Sequence, residues 1–253
     1  MSNIETSLAL IKEFFEGQKI NFWLEAGTAL SAEREGRVFP WEHDIDVAIW
    51  RDDLPDPESL KDFFATNGYK VIFQKNYPYI DNIIQLKVAK GFEEKLFDID
   101  IYLYTRHQGQ AYMRWIHKPE GRLAKAKLII LNTLKYMVNP PTDKWRRMSR
   151  LIPHHLAKVV FFGFLRFYID HSTCVYHRFP EHYFLNLKEI DFHGLLAQIP
   201  LDTSSYLQHR YGQNWNTPDS QFNQSGKWRQ SNARVELKMN LLPIPVYDDR
   251  ILS

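Results

Sequence analysis

Asp44 and Asp46 stand either side of a single isoleucine at the head of the run Asp44-Ile45-Asp46-Val47-Ala48-Ile49. A strand points alternate side chains to opposite faces, so this run predicts a strand with Ile45, Val47 and Ile49 on one side and both carboxylates on the other. Two carboxylates held that close need a counter-charge. A divalent cation with oxygen ligands supplies one, and magnesium is the usual choice where a phosphate also binds. Gly27-Thr28 comes just before, where a strand over residues 21–25 is expected to turn into a short helix over 28–35, leaving bare backbone N–H groups to face a phosphate. A second pair, Asp98 and Asp100, lies in the alternating run from Leu96 to Tyr104. If that strand lies beside the first, a third carboxylate becomes available, as a two-metal phosphoryl-transfer centre requires. Phosphoryl or nucleotidyl transfer is the chemistry these residues suit.

The elements that must position them follow from periodicity and punctuation. Leu8, Ile11, Phe14 and Phe15 recur at helical spacing over residues 4–16, predicting an amphipathic helix on one side of a sheet. Gly36 and Pro40 mark the loop leading to Asp44, and Pro55 and Pro57 introduce a helix that ends near Gly68. Residues 69–74 and 83–90 are expected to be strands. Beyond Thr105 the character changes: residues 122–138 predict a helix, Pro140-Pro141 break it, and 143–171 is expected to be mostly helical. From Tyr183 the chain gives short segments with turn signals, among which 202–207 alone looks helical, capped by Asp202 or Thr203. The last fifteen or so residues, with Pro243 and Pro245, are expected to form a loosely tied tail. Trp23, Trp41 and Trp50 are expected in the core rather than in an aromatic cage, and His43 in a loop.

The fold expected is α+β: a mixed sheet flanked by helices, with a mainly helical C-terminal part, residues 1–118 forming the catalytic core and 119–253 packing on it. At 253 residues with 44% hydrophobic content the chain can bury one sizeable core. A single cysteine, Cys174, excludes an internal disulfide framework and a Cys-rich zinc site. The first residues carry no signal-peptide pattern and no uncharged run reaches membrane-spanning length, so a cytoplasmic protein is expected, with association at the inner membrane face as a further option. A net charge of +2 conceals a strong asymmetry, because the stretch from Arg122 to Arg166 holds ten bases and one acid, Asp143. That stretch is either a solvated helix face or a surface for phosphates, an anionic acceptor or a membrane. Nucleic acid is not expected, since the bases lack the interleaved aromatics of a recognised module.

Gly27-Thr28-Ala29-Leu30, Arg34, Pro40-Trp41-Glu42-His43-Asp44-Ile45-Asp46 and the later Asp100-Ile101-Tyr102 occur in an order and spacing that resembles the LicD/fukutin family of the nucleotidyltransferase-fold superfamily. Phe192-His-Gly194, Ile199-Pro200, Tyr206-Leu207 and Tyr211-Gly212 are similar to that family's closing segment. Two departures stand out: Glu42-His43 where two aspartates are usual, and Ser31 where glycine is.

The resemblance implies a nucleotidyltransferase-like core and a phosphotransferase that moves a phospho-alcohol, such as phosphocholine or a polyol phosphate, from a CDP-activated donor to a sugar hydroxyl of a glycan or glycolipid. It implies Asp44, Asp46 and Asp100 as catalytic and metal-holding residues with Mg2+ or Mn2+, Asp100 also helping to deprotonate the acceptor hydroxyl. Asp98, on the same face, is the fallback third carboxylate. Gly27 and Thr28 are expected to bind phosphate oxygens. Arg34 is expected either to pair with phosphate or to bridge to Glu33, Glu35 or Glu42. Two other classes stay open: a nucleotidyltransferase passing NMP from an NTP to a small-molecule or sugar acceptor, and a non-enzymatic scaffold using the basic stretch.

Overall fold

A computed structural model describes residues 2–76, 79–114, 121–218, 233–238 and 240; the expected tail lies outside them. In chain order the elements are α1 (Asn3–Gly17), β1 (Phe22–Leu24), α2 (Ala26–Glu35), β2 (Asp44–Trp50), α3 (Pro57–Thr66), β3 (Tyr69–Asn76), β4 (Tyr79–Val88), β5 (Asp98–His107) and β6 (Gln110–Arg114). They continue with α4 (Gly121–Val138), α5 (Asp143–Ser149), α6 (His154–Asp170), β7 (Thr173–Pro180), β8 (Leu187–Phe192), β9 (Leu195–Pro200), α7 (Thr203–Tyr211) and β10 (Arg234–Lys238). The class is α+β, with a mixed sheet and flanking helices. Among the described residues no helix is long and apolar enough to cross a membrane.

By contacts the chain divides into two units, one of residues 1–114, 177–234 and 244–253, the other of 115–176 and 235–243. In the first, β1 runs antiparallel to β2 and β2 parallel to β5, while β4 and β6 both pair with β5 antiparallel and β3 pairs with β4. Central β5 is buried from Ile99 to Thr105, which explains why Ile, Leu and Tyr crowd a strand whose opening residues are acidic.

Local chemistry sets the helices that cover this sheet. Ser2 and Glu5 form a reciprocal capping box at the start of α1, which then buries Leu8, Ile11, Phe14 and Phe15. Asp56 caps α3 by accepting from the Ser59 N–H, with Pro57 in the first turn where its missing donor is not needed. Phe14 meets Phe63 and Phe64 at 5.0 and 5.2 Å between ring centroids. Gly68 then turns the chain at φ +89°, and a Cβ there would stand 2.6 Å from the Phe92 ring. Gly68→Ala is therefore expected to destabilise by about 1–2 kcal/mol. A lower urea midpoint at unchanged slope is the check.

Two stretches differ from expectation. The helical run over 143–171 is two helices, because Pro153 cannot continue α5 and instead precedes α6. The segments after Tyr183 include the hairpin β8–β9, whose turn residues His193 and Gly194 both have positive φ, as a primed two-residue turn requires. The second unit holds α4, α5 and α6, with α4 packed on α6.

Candidate active site

The parallel pairing of β2 with β5 sets Asp44 opposite Asp98 and Asp46 opposite Asp100. With zero offset in register, alternation puts all four carboxylates on one face. Three converge: oxygens of Asp44, Asp46 and Asp100 lie within 4.8 Å of one another. Among the described residues no other group of His, Cys, Asp or Glu converges in this way.

Asp98 is engaged elsewhere. Its Oδ1 accepts the Val88 N–H at 2.8 Å and its Oδ2 lies 3.2 Å from Lys87 Nζ. Gln85, directly across from Asp100 on β4, donates to both of that carboxylate's oxygens at 3.2 and 3.3 Å, and Lys87 Nζ stands 3.8 Å from it. Both polar side chains belong to the alternating face of the 83–90 run, a signal present in the sequence.

The turn between β1 and α2 is built onto Asp46. The Glu25 N–H donates to the Asp46 carbonyl at 2.9 Å, and the Thr28 hydroxyl accepts the Asp46 N–H at 2.8 Å. Thr28 is thereby buried against the strand. Ala26 sits at φ +48°, left-handed for a residue with a Cβ, and its N–H donates to the Tyr206 hydroxyl at 3.1 Å. Such a conformation persists only where surroundings over-determine it. Gly27 follows, and a Cβ there would stand 3.2 Å from Glu42 Oε1 and 3.9 Å from Asp46 Oδ2, so its backbone lies against the acidic cluster.

Beneath the turn lies Glu25, fully buried. Its Oε1 accepts from Arg210 at 2.6 Å, Tyr104 at 2.7 Å and Tyr206 at 2.8 Å, and its Oε2 from the Trp23 indole at 3.2 Å. Sequence reading missed this buried pair, because nothing local ties residue 25 to residue 210. Trp23 and Trp50 are core, as expected, whereas Trp41 is 54% exposed. Trp41 stacks on Phe39 at 4.8 Å, and the Arg34 guanidinium lies over that same Phe39 at 4.9 Å. Arg34 makes no ion pair among the described residues; Glu33 bridges to Lys188 instead. His43 is exposed.

The electrostatics are those of crowded anions. Burial, then Asp44 and Asp100, push the Asp46 carboxyl well above the ordinary range, with Arg210 opposing. Asp44 and Asp100 are raised chiefly by burial, with Lys87 opposing in each, and Glu42 by burial and then Asp44. Oxygen-only ligands sharing unneutralised charge could hold a hard divalent cation.

A strand pair presenting three carboxylates beside a strand-to-helix turn that carries glycine and a hydroxyl is the site layout of a nucleotidyltransferase-type domain. Residues 19–164, more than half of the chain, match the family described as LicD/FKTN/FKRP, nucleotidyltransferase domain, and the chain belongs to that family. It is 37% identical over 198 residues to the ribitol 5-phosphate transferases FKRP of Mus musculus and of Homo sapiens, a match covering 78% of this chain. The chain spans only 28% of the length of those relatives. A crystal structure of ANT(2")-Ia with adenylyl-2"-tobramycin is similar over 64% of this chain and 96% of that one, at 15% identity and a TM-score of 0.30.

Proposed function

We propose that the protein is a metal-dependent phosphotransferase that moves a phospho-alcohol from a CDP-activated donor to a sugar hydroxyl of a glycan or glycolipid. The observation that carries this reading is the convergence of Asp44, Asp46 and Asp100 within 4.8 Å in a chain of this family. Similarity to ribitol 5-phosphate transferases makes CDP-ribitol the first donor to offer, ahead of CDP-choline.

Asp44, Asp46 and Asp100 would hold magnesium or manganese, which supplies neutralisation of the donor's diphosphate charge. The chain's own residues have separate tasks in this reading. Gly27, lacking a side chain, leaves room for a phosphate oxygen beside Glu42 and Asp46. Thr28 holds the Asp46 amide and so fixes where that carboxylate points. The Arg34 fork, stacked but otherwise unpaired among the described residues, is available to a phosphate. Asp100, oriented by Gln85, takes the proton of the acceptor hydroxyl in this reading.

Asp98 and Asp100 then separate cleanly. Asp100→Asn is expected to lower turnover by at least about a hundredfold. Asp98→Asn should keep activity to within about tenfold and lose about 1 kcal/mol of stability through its weakened bond to Val88. Steady-state rates and urea midpoints of the two variants are the check.

The reading itself is tested by incubation with magnesium or manganese and CDP-ribitol, CDP-choline, CDP-glycerol or nucleoside triphosphates, with and without glycan acceptors. CMP release from a CDP-alcohol is the expected result. Pyrophosphate release from a triphosphate would instead assign NMP transfer, and absence of both would overturn the proposal.

A further inference from the structure

Helix α6 is apolar on two sides. Ala157, Phe161, Leu165 and Tyr168 are buried, as a core-facing stripe should be. Leu156, Val159, Val160 and Phe167 form a second line at spacings of three, four and seven, and all four are exposed, Val159 by 66%. A surface helix ordinarily opposes its apolar stripe with a polar one. On α4, Leu123 and Ile130 repeat the pattern seven residues apart, with Leu123 73% exposed. Lys127, on the same face of α4, links the two lines: its Nζ lies 5.3 Å from the Phe167 ring centroid and 3.4 Å from the His171 carbonyl. Leu151, in the turn before α6, is 82% exposed.

The same stretch holds the ten bases and single acid between Arg122 and Arg166. Aliphatic side chains with long cations interleaved are the composition of a helix surface lying in the headgroup region of an anionic bilayer. Lys and Arg stems there cover apolar surface while their heads reach lipid phosphates. Other occupants fit less well. The core of a protein interface is depleted of charge, a second copy would bring an equally positive face, and nucleic acid would leave the aliphatic line without use. We infer that the exposed face of α4, α5 and α6 is a docking surface for a membrane rich in anionic lipid, on which these helices lie along the headgroup layer.

The full chain is sedimented with phosphatidylcholine vesicles containing about 30% phosphatidylglycerol, and with vesicles of phosphatidylcholine alone. Binding to the anionic vesicles alone is expected, with release above about 0.5 M salt. The pair Ile130→Asp/Val159→Asp should lower partitioning at least about tenfold, while Leu201→Asp, an exposed apolar site outside this face, should not. Arg147→Glu/Arg150→Glu, which leaves every apolar residue in place, should lose binding too. Circular dichroism checks that each variant is folded. No binding by wild type, or undiminished binding by the two double variants, would overturn the inference. So would a wild-type dimer in light scattering that Ile130→Asp dissolves, since the face would then belong to a second copy.

Discussion

Asp46→Asn is expected to lower turnover by about a thousandfold or more and, in the absence of metal, to raise the melting temperature. The two effects share one cause. Asp46 is half-buried beside Asp44 and Asp100, and its carboxyl is pushed well above the ordinary range by desolvation and then by those neighbours. A carboxyl raised on folding binds more protons in the folded state than in the unfolded one. Its drag on stability therefore sets in as pH rises through the unfolded value of about 4 and grows until pH passes the folded value. Asparagine keeps the shape and drops the charge, so the metal-free variant should melt about 2–4 °C higher for each kcal/mol of repulsion relieved. The pH dependence of its melting should also flatten. Magnesium or manganese should stabilise wild type by mass action, by about 2.7 kcal/mol at a hundred times the dissociation constant, and leave the variant almost unmoved. Scanning fluorimetry with chelator and with metal, at several pH values, checks all of this. A variant that melts below wild type in chelator would show that the anions are not crowding one another.

Arg210→Met is expected to produce the largest loss of stability, roughly 3–5 kcal/mol, because it strands a buried carboxylate. Glu25 would keep its bonds from Tyr104, Tyr206 and Trp23 but lose the only cation paired with it among the described residues. Glu25→Gln combined with Arg210→Met should recover most of the loss, since a neutral amide can still accept from both tyrosines. Activity should recover less completely. The Glu25 backbone supports Asp46, and Tyr206 supports Ala26 in its left-handed turn. Urea unfolding of the single and double variants gives the coupling directly. A double variant as unstable as Arg210→Met would mean that packing around Arg210, rather than charge, holds this region.

The parts of the fold that were legible in the sequence are those with a local signature. Alternation around Asp44 and Asp100 marks β2 and β5, and Pro57 marks the start of α3. Distinguishing Asp98 from Asp100 was beyond the pattern, because both share a face of one strand. The difference lies across the sheet, where Val88 and Lys87 engage one and Gln85 the other. Glu25 read only as the end of a strand, since a buried charge reveals itself through its partner, here 185 residues away. The β8–β9 hairpin was missed because His-Gly, unlike Asn-Gly, is a weak turn signal even though His193 and Gly194 adopt the required backbone. Leu156, Val159, Val160 and Phe167 recur at the same helical spacing as a core-facing line, and only exposure separates them from the buried one.

The bond from Arg210 to Glu25 has a consequence for synthesis. The family match ends at residue 164, and the helix that braces the turn before Asp46 lies beyond it. On a ribosome adding roughly 5–20 residues per second, Arg210 follows Glu25 by about ten seconds or more. Through that interval the nascent chain lacks the partners of Glu25 and Ala26, so the turn before Asp46 is expected to take its final form only when α7 arrives. Fragments ending before Arg210 should keep that turn unbraced.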